Sequence, residues 1–127
     1  MVSIERARKL AMSLPDVEER DHFGSPSFRV KSKIFAQLSS PGSEARRALV
    51  KLASADQAAL LLSAPEIFSS VLQWGNHGWT YVELAAVKES VLRDLLWQSW
   101  RLVAPKNLAR ASDGAKAKTN RRDGRAV

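Results

Sequence analysis

The sequence has 127 residues, a length typical of one domain, and 45% of them are hydrophobic, which is enough to form an apolar core. The absence of cysteine excludes disulfides, thiolate metal sites and cysteine nucleophiles. The two histidines, His22 and His77, are far apart in the sequence, so a metal site built on several histidines is not expected. Neither a signal peptide nor an apolar run of about 18 residues is present, so we expect a soluble cytoplasmic protein.

The net charge of +7 is unevenly distributed along the chain. Residues 105–127 contain seven basic and two acidic side chains, whereas residues 1–104 contain thirteen basic and eleven acidic ones. The C-terminal segment also has few large apolar residues with which to pack. We therefore expect a single folded domain over residues 1–109 and a basic, disordered tail over residues 110–127.

The first element in chain order is a helix over residues 3–13, where the apolar positions follow helical spacing and Ser3 can act as the N-cap. It ends at Leu14-Pro15, because the residue before a proline avoids helical backbone angles. Residues 16–22 alternate weakly and predict a short edge strand.

Three β-rich segments follow this edge strand. The segments SFRV at 27–30 and KIFAQL at 33–38 predict a hairpin with a compact turn at Lys31-Ser32. After a loop rich in serine, the alternating segment RRALVKL at 46–52 predicts another strand.

The second half of the chain predicts further helices and one more strand. Ser54 is the expected cap of a helix, and Gln57, three residues on, would complete a capping box. The segment at 65–74 predicts a short helix, and WTYVEL at 79–84 predicts a strand. The strongest helical pattern lies at 88–105. Its apolar face comprises Val91, Leu92, Leu95, Leu96, Ser99, Leu102 and Val103. This order of elements predicts an α+β two-layer sandwich, with helices packed on one face of an antiparallel sheet.

Several segments between residues 3 and 109 share the pattern of a known family. They are SLPDVEE at 13–19, GSPSFRVKSKIFAQL at 24–38, LVKL at 49–52, AP with Phe68 at 64–68, HGWTYVEL at 77–84 and SWRLVAPKNL at 99–108. Together they resemble the MmcQ/YjbR family of small bacterial proteins, which implies a frataxin-like (CyaY-like) fold. The hairpin turn departs from the family pattern, in which a glycine is expected. The family is commonly labelled DNA-binding through the likeness of its fold to a double-wing arrangement, so DNA is the partner that the resemblance implies.

Alternation along the strands divides their side chains between two faces of the sheet. The residues expected to face the helices are Phe28, Val30, Ile34, Ala36, Leu38, Val50, Leu52, Val82 and Leu84. The residues expected on the opposite face are Arg29, Lys31, Lys33, Phe35, Gln37, Arg47, Leu49, Lys51, Trp79 and Tyr81. Such a basic face with aromatic rings could contact phosphates and stack on bases. The alternative is a solvated face whose lysines oppose edge pairing.

A nucleic-acid interface is therefore one hypothesis for this chain, with the basic tail adding affinity that is independent of base sequence. Its predicted residues are Arg29, Lys31, Lys33, Phe35, Arg47, Lys51, Trp79, Arg101 and Lys106. Two of them have equally good structural interpretations: Arg101 could pair with a carboxylate such as Glu83, and Lys106 could be the cation that a helix C-terminus favours.

The segment WGNHGW at 74–79 predicts a turn built on its glycines and Asn76. The alternative is that Trp74, His77 and Trp79 form a corner that binds a small ligand or a protein partner. No base or carboxylate near His77 in the sequence supports catalysis. Because the chain also lacks the sequence signatures of phosphate-binding loops, dinucleotide-binding folds, nucleophile elbows and zinc proteases, neither an enzymatic activity nor a cofactor is predicted.

An acidic run early in the chain is the remaining candidate site. It comprises Asp16, Glu18, Glu19 and Asp21. Frataxin, the fold relative, is an acidic iron-binding protein, but here the first helix carries Arg6, Arg8 and Lys9 against Glu5. Since this charge opposes iron binding, and hard cations need several converging oxygen ligands, we expect no metal. We expect a monomer.

Overall fold

A computed structural model describes residues 1–71 and 77–108 of the chain. The elements in chain order are α1 (Ile4–Met12), β1 (Val17–His22), β2 (Ser25–Val30), β3 (Lys33–Leu38), β4 (Arg47–Lys51), α2 (Ser54–Ser63), β5 (Phe68–Ser70), β6 (Trp79–Glu83) and α3 (Glu89–Val103). The strands form one antiparallel sheet in the order β1-β2-β3-β4-β6-β5. The predicted edge strand at 16–22 is confirmed, since β1 lies at one end of this order.

The helices α1 and α3 contact each other and pack on the same face of the sheet, while α2 contacts β5. The core between these layers contains Leu10, Phe28, Val30, Ala36, Leu38, Val50, Val82, Leu92, Leu95, Leu96 and Trp100. Burying a large apolar side chain contributes about 1.5–3 kcal/mol, so this layer of contacts is the main source of stability. The predicted α+β two-layer architecture is confirmed.

The first and last helices follow their apolar patterns. Ser3 caps α1, because its hydroxyl accepts the N–H of Arg6 at 3.0 Å. In α3 the buried stripe runs through Leu92, Leu95, Leu96, Ser99 and Trp100. Trp100, which is not among the residues expected on the apolar face, is fully buried, whereas Val91 and Leu102, which are expected there, are 37% and 52% exposed.

Two predicted features in the second half of the chain are wrong. The helix expected at 65–74 is replaced in its described part by β5, because Phe68 is buried opposite Val82 and the N–H of Glu83 donates to the Ile67 carbonyl at 2.8 Å. Residues 72–74 lie outside the described part of the chain.

The capping box expected at Ser54 is also absent. Ala53 is the N-cap of α2, without a side-chain hydrogen bond. The side chain of Gln57 is turned into the protein, where its amide donates to the Trp79 carbonyl and to the Thr80 hydroxyl, both at 3.0 Å. Gln57 lies on the buried side of α2, and these bonds turn its side chain away from the helix N-terminus, where a capping box needs its carbonyl oxygen to accept a backbone N–H.

A β-bulge between β2 and β3 changes the expected alternation. Phe28 pairs with Ala36 and Arg29 pairs with Ile34, which leaves Phe35 without an opposite residue. An extra residue of this kind shifts the side-chain alternation by one position. Phe35 and Ala36 are consequently both buried, at 0% and 2% exposure, and Ile34 lies on the face of Arg29. The register also places Lys33 opposite Val30, on the side of the helices. The predicted faces of Lys33, Ile34 and Phe35 are therefore wrong.

Ser99 of α3 satisfies the backbone hydrogen-bonding groups beside this bulge. Its buried hydroxyl donates to the Phe35 carbonyl and accepts the backbone N–H of Lys51 at 2.8 Å. The direct pairing of β3 with β4 ends beside this point, at Ala36 and Val50. The serine hydroxyl thus bridges the two strands where their ladder separates, and it leaves neither backbone group unsatisfied.

The next residue along the helix makes a similar link to the N-terminal part of the chain. Trp100 is fully buried, and its indole N–H donates to the Pro15 carbonyl at 2.9 Å. Through Ser99 and Trp100, the segment at 99–108 contacts three other segments that resemble the family, at 13–19, 24–38 and 49–52. These segments therefore stabilise the fold through contacts with one another.

Candidate nucleic-acid interface

The sheet surface opposite α1 and α3, termed here the outer face, is defined by the strand register. It carries Glu18, Arg20, Arg29, Gln37, Arg47, Leu49, Lys51, Trp79, Tyr81 and Glu83. The predicted parity is confirmed for the residues of β4 and β6. Leu49 is buried, but it is not part of the core beneath the helices and instead lies in register between Gln37 and Tyr81.

One end of the sheet carries a group of cations, termed the lysine rim and consisting of Arg29, Lys31, Lys33 and Lys51. Arg29 and Lys51 belong to the outer face, Lys31 lies in the hairpin turn, and Lys33 lies opposite Val30 on the side of the helices. Lys31 and Lys33 are exposed at the turn between β2 and β3, and Lys51 is half-buried at the end of β4. Since β2 and β4 flank β3, the rim extends about 10 Å across the sheet, and the turn at Lys31 lies about four residues beyond Lys51 along the strands. The three lysines form no ion pair with any residue in the described ranges.

The turn that carries two of these lysines has an unusual backbone. Lys31 and Ser32 have φ values of +50° and +70°, the geometry of a type I′ hairpin turn, which asparagine and glycine normally occupy. The missing family glycine therefore leaves the hairpin intact. Left-handed geometry costs a residue with a side chain about 1–2 kcal/mol.

At the opposite end of the outer face, the cation Arg47 is paired with a carboxylate. Arg47 Nε donates to Glu83 Oε2 at 2.6 Å, and its guanidinium carbon lies 5.0 Å from the centroid of the Tyr81 ring. The carboxylate offsets the positive charge, and the ring holds the guanidinium in place by a cation–π contact. Arg47 is thus a weaker phosphate ligand than its isolated charge indicates. Glu83, named in the sequence analysis as a possible partner of Arg101, pairs with Arg47 because the register of β4 with β6 places the two residues opposite each other.

The remaining predicted site residues do not form one surface. Phe35 is buried in the core and has no access to a ligand. Trp79 lies in register with Lys51 on the outer face and is half-buried. Arg101 and Lys106 are exposed, but they belong to and follow α3, in the helical layer. The structure therefore brings Trp79 beside Lys51 of the rim, and it places Arg101 and Lys106 in the helical layer.

The turn before β6 supports the structural interpretation of the tryptophan-rich segment. Gly78 has φ +84°, and a Cβ there would lie 1.9 Å from the Leu52 carbonyl oxygen. Its own carbonyl accepts the N–H of Leu52 at 2.8 Å and the hydroxyl of Thr80 at 3.0 Å. His77 is exposed, and Trp74, Gly75 and Asn76 lie outside the described residues.

Two acidic side chains of β1 form ion pairs with arginines, and a third accepts a backbone hydrogen bond. Glu18 binds Arg20 at 3.1 Å and Glu19 binds Arg8 at 2.6 Å. The carboxylate of Asp21 accepts the N–H of Gly24 at 3.2 Å. Over residues 1–71 and 77–108, no group of three or more histidine or acidic side chains could hold a metal ion.

The helical layer shows the same preference for arginine in ion pairs. Arg6 forms two hydrogen bonds with Glu89, at 3.0 and 2.8 Å, and these bonds hold the pKa of that carboxyl below its usual range. Arg93 also contacts Glu89, at 3.1 Å. No helix of the described chain has both the length and the apolar character required to cross a membrane.

Comparison with known proteins identifies a family and a structural relative. The family model described as YjbR matches residues 12–102. Among solved structures, the chain is similar to the crystal structure of Deinococcus radiodurans protein DR2400, which contains the family-model domain DUF419. The TM-score is 0.74 with 23% sequence identity, over 84% of this chain and 82% of that chain, a level of similarity that shows a shared fold. No curated protein matches the sequence.

Proposed function

The chain belongs to the YjbR family, and from this premise we propose that it is a non-enzymatic nucleic-acid-binding protein that contacts phosphates through the lysine rim. The basic sequence beyond residue 105 adds affinity that is independent of base sequence. The observation that carries the proposal is the grouping of Lys31, Lys33 and Lys51 at one end of the sheet without ion pairs among the described residues.

The rim has the electrostatic properties that phosphate binding requires. A lysine ammonium that forms no protein ion pair does not have to exchange a carboxylate for a phosphate when nucleic acid binds. Each such contact also releases a counterion from the nucleic acid, which favours binding at low salt. Trp79 places a ring next to Lys51, where it could stack on an exposed base.

The backbone of the hairpin gives independent support. A turn of asparagine and glycine would adopt the same geometry with less strain than Lys31-Ser32. Strained backbone is concentrated at functional sites in proteins. The strain of this turn is therefore consistent with a surface that presents Lys31 and Lys33 to a partner.

The test is a pair of full-length triple variants with the same change in net charge. One replaces the rim residues Lys31, Lys33 and Lys51 with glutamine, and the control replaces Lys9, Lys88 and Arg46, which are exposed elsewhere. We expect the rim variant to bind duplex DNA at least about tenfold more weakly at low salt and to lower the slope of log affinity against log salt by about 2–3. The control should retain most of the affinity.

Three results would contradict the proposal. They are an equal loss in both triple variants, a salt-independent affinity, and no binding by the wild-type chain at about 50 mM salt. A variant lacking residues 110–127 measures the share of the salt slope that the basic tail contributes. If all binding disappears with the tail, the rim contributes nothing and the proposal fails.

A further inference from the structure

The end of the outer face opposite the lysine rim contains a cavity of about 500 Å³, termed the Arg47 pocket. Its walls come from the β1–β2 turn, the end of β3, the following loop, β4 and β6. The residues that matter for its chemistry are His22, Phe23, Gln37, Ser40, Arg47 and Tyr81. The volume lies within the range of about 300–1,000 Å³ that is typical of small-molecule sites.

The polar groups of the Arg47 pocket favour an anion. Arg47 uses Nε for Glu83, and its two terminal nitrogens make no hydrogen bond to any described residue. Gln37 contributes a side-chain amide, and the hydroxyl of Ser40 is held 2.9 Å from that of Ser25. Charge-assisted hydrogen bonds from a guanidinium to a carboxylate or phosphate are strong and geometrically specific, so Arg47 is the expected anion ligand.

The apolar groups of the pocket favour a planar ring. Tyr81 lies beneath the guanidinium, and Leu49 lines the pocket beside it. Phe23, at the tip of the β1–β2 turn, is 94% exposed and has φ +53°. A bulky residue at positive φ is a genuine backbone outlier, and almost all of this ring remains in water. The strained backbone and the exposed ring of Phe23 are not offset by packing, apart from an edge contact at 4.7 Å with the ring of His22.

We infer that the Arg47 pocket binds a small anion that carries a planar ring, either an aromatic carboxylate or a nucleotide. The anionic group contacts Arg47, and the ring contacts Phe23 and Tyr81. This site does not depend on the proposed nucleic-acid function, because it contains no residue of the lysine rim.

A second cavity, of about 720 Å³, lies between α1 and the loop after β3, but its lining contains three carboxylates, of Glu5, Glu19 and Glu44, against the two arginines Arg8 and Arg46. Arg8 binds Glu19 at 2.6 Å and approaches Glu5 at 4.0 Å. An incoming anion would have to displace two carboxylates from this arginine. The larger cavity is therefore the weaker candidate.

The test uses backbone amide shifts of the isotope-labelled full-length chain. The probes are 4-hydroxyphenylacetate and uridine 5′-monophosphate, with p-cresol as the neutral ring and with acetate and inorganic phosphate as ringless anions. At least one ring anion should bind with a Kd below about 1 mM, with shifts concentrated at residues 22–25, 37–40 and 47–49. The neutral ring and the ringless anions should bind about tenfold more weakly. The ring anion that binds more tightly shows whether the pocket prefers a carboxylate or a phosphate.

Two variants with matched controls locate the site. F23A and R47Q should each weaken binding of the ring anion about tenfold, whereas L62A and R93Q should leave it unchanged. Phe23 and Leu62 are 94% and 86% exposed, so neither truncation threatens the fold. The inference is overturned if no ring anion gives saturable shifts up to about 10 mM, if p-cresol binds equally well, or if F23A and R47Q bind like the wild type.

Discussion

The lysine rim and the Arg47 pocket lie at opposite ends of the sheet, and a comparison of Lys51 with Arg47 shows how neighbouring strands control a charge. Lys51 faces Trp79 across the ladder, whereas Arg47 faces Glu83 in the same pair of strands. The first cation has no carboxylate opposite it, and the second is held by one. Two basic residues four positions apart on one strand are therefore suited to different partners.

The two ends also differ in how tightly the backbone is held. At the rim, the backbone of Lys51 is tied to α3 through Ser99, and the turn at Gly78 packs against Leu52. At the pocket, the turn at Phe23 and Gly24 projects into solvent, and a Cβ at Gly24 would meet no atom within 4 Å. The backbone around Lys51 therefore has the more rigid support of the two ends.

The largest expected effect comes from two glycines with nearly the same backbone geometry, Gly78 at φ +84° and Gly24 at φ +87°. We expect G78A to lower the free energy of unfolding by more than about 3 kcal/mol, because its Cβ would clash with the Leu52 carbonyl. We expect G24A to cost about 1 kcal/mol, from backbone strain alone. Urea denaturation of both variants measures the two losses in the free energy of unfolding. Equal losses would show that the backbone is constrained equally at the two ends.

A smaller loss of about 2 kcal/mol is expected for S99A, because it leaves the Phe35 carbonyl and the Lys51 N–H buried without partners. The matched control is S90A on the same helix, at an exposed position, with a change within about 0.5 kcal/mol. Hydrogen exchange at the Lys51 amide should accelerate in S99A. If S99A behaves like S90A, the serine bridge does not support the rim.

A gain in stability is expected where the rim turn is strained. S32G should raise the free energy of unfolding by about 0.5–1 kcal/mol, since glycine removes the cost of positive φ but increases the entropy of the unfolded chain. S43G, in the exposed loop after β3, should bring no gain. Thermal denaturation compares the two, and a destabilised S32G would mean that the turn is not strained.

A small loss of stability is expected for E83Q, which makes the pocket end resemble the rim. The pair with Arg47 is partly exposed to solvent and contributes about 1 kcal/mol, so the fold should be retained. If DNA binds the outer face, freeing Arg47 should steepen the salt dependence of binding by about one ion. An unchanged slope in E83Q would confine the nucleic-acid contacts to the rim.

The elements of the fold were largely predictable from local patterns. The helical spacing of α1 and α3 and the alternation of β4 and β6 follow from side-chain periodicity within one segment. The prediction failed at residues 65–74, where a short apolar run is compatible with either a strand or a helix and pairing with β6 decides for the strand. It also failed at Gln57, where acceptors from β6 determine which way the side chain turns.

The candidate site was predictable only as a set of charges. The bulge moves Phe35 from the outer face to the core, and it is a property of two strands together, with no marker in either. The ion pair of Arg47 depends on a residue 36 positions later in the chain. The Arg47 pocket was not predicted, because its walls come from five separate segments that only the folded sheet brings together.

By itself, the amino-acid sequence determined the order and type of most elements and the excess of positive charge, because periodicity and composition are local properties of a chain. The register between strands decided which cations are paired, which rings are buried and where a cavity forms. The physical reason is that a cross-strand neighbour is chosen by the packing of the whole sheet. A one-residue shift, such as the bulge at Phe35, moves a side chain to the other face.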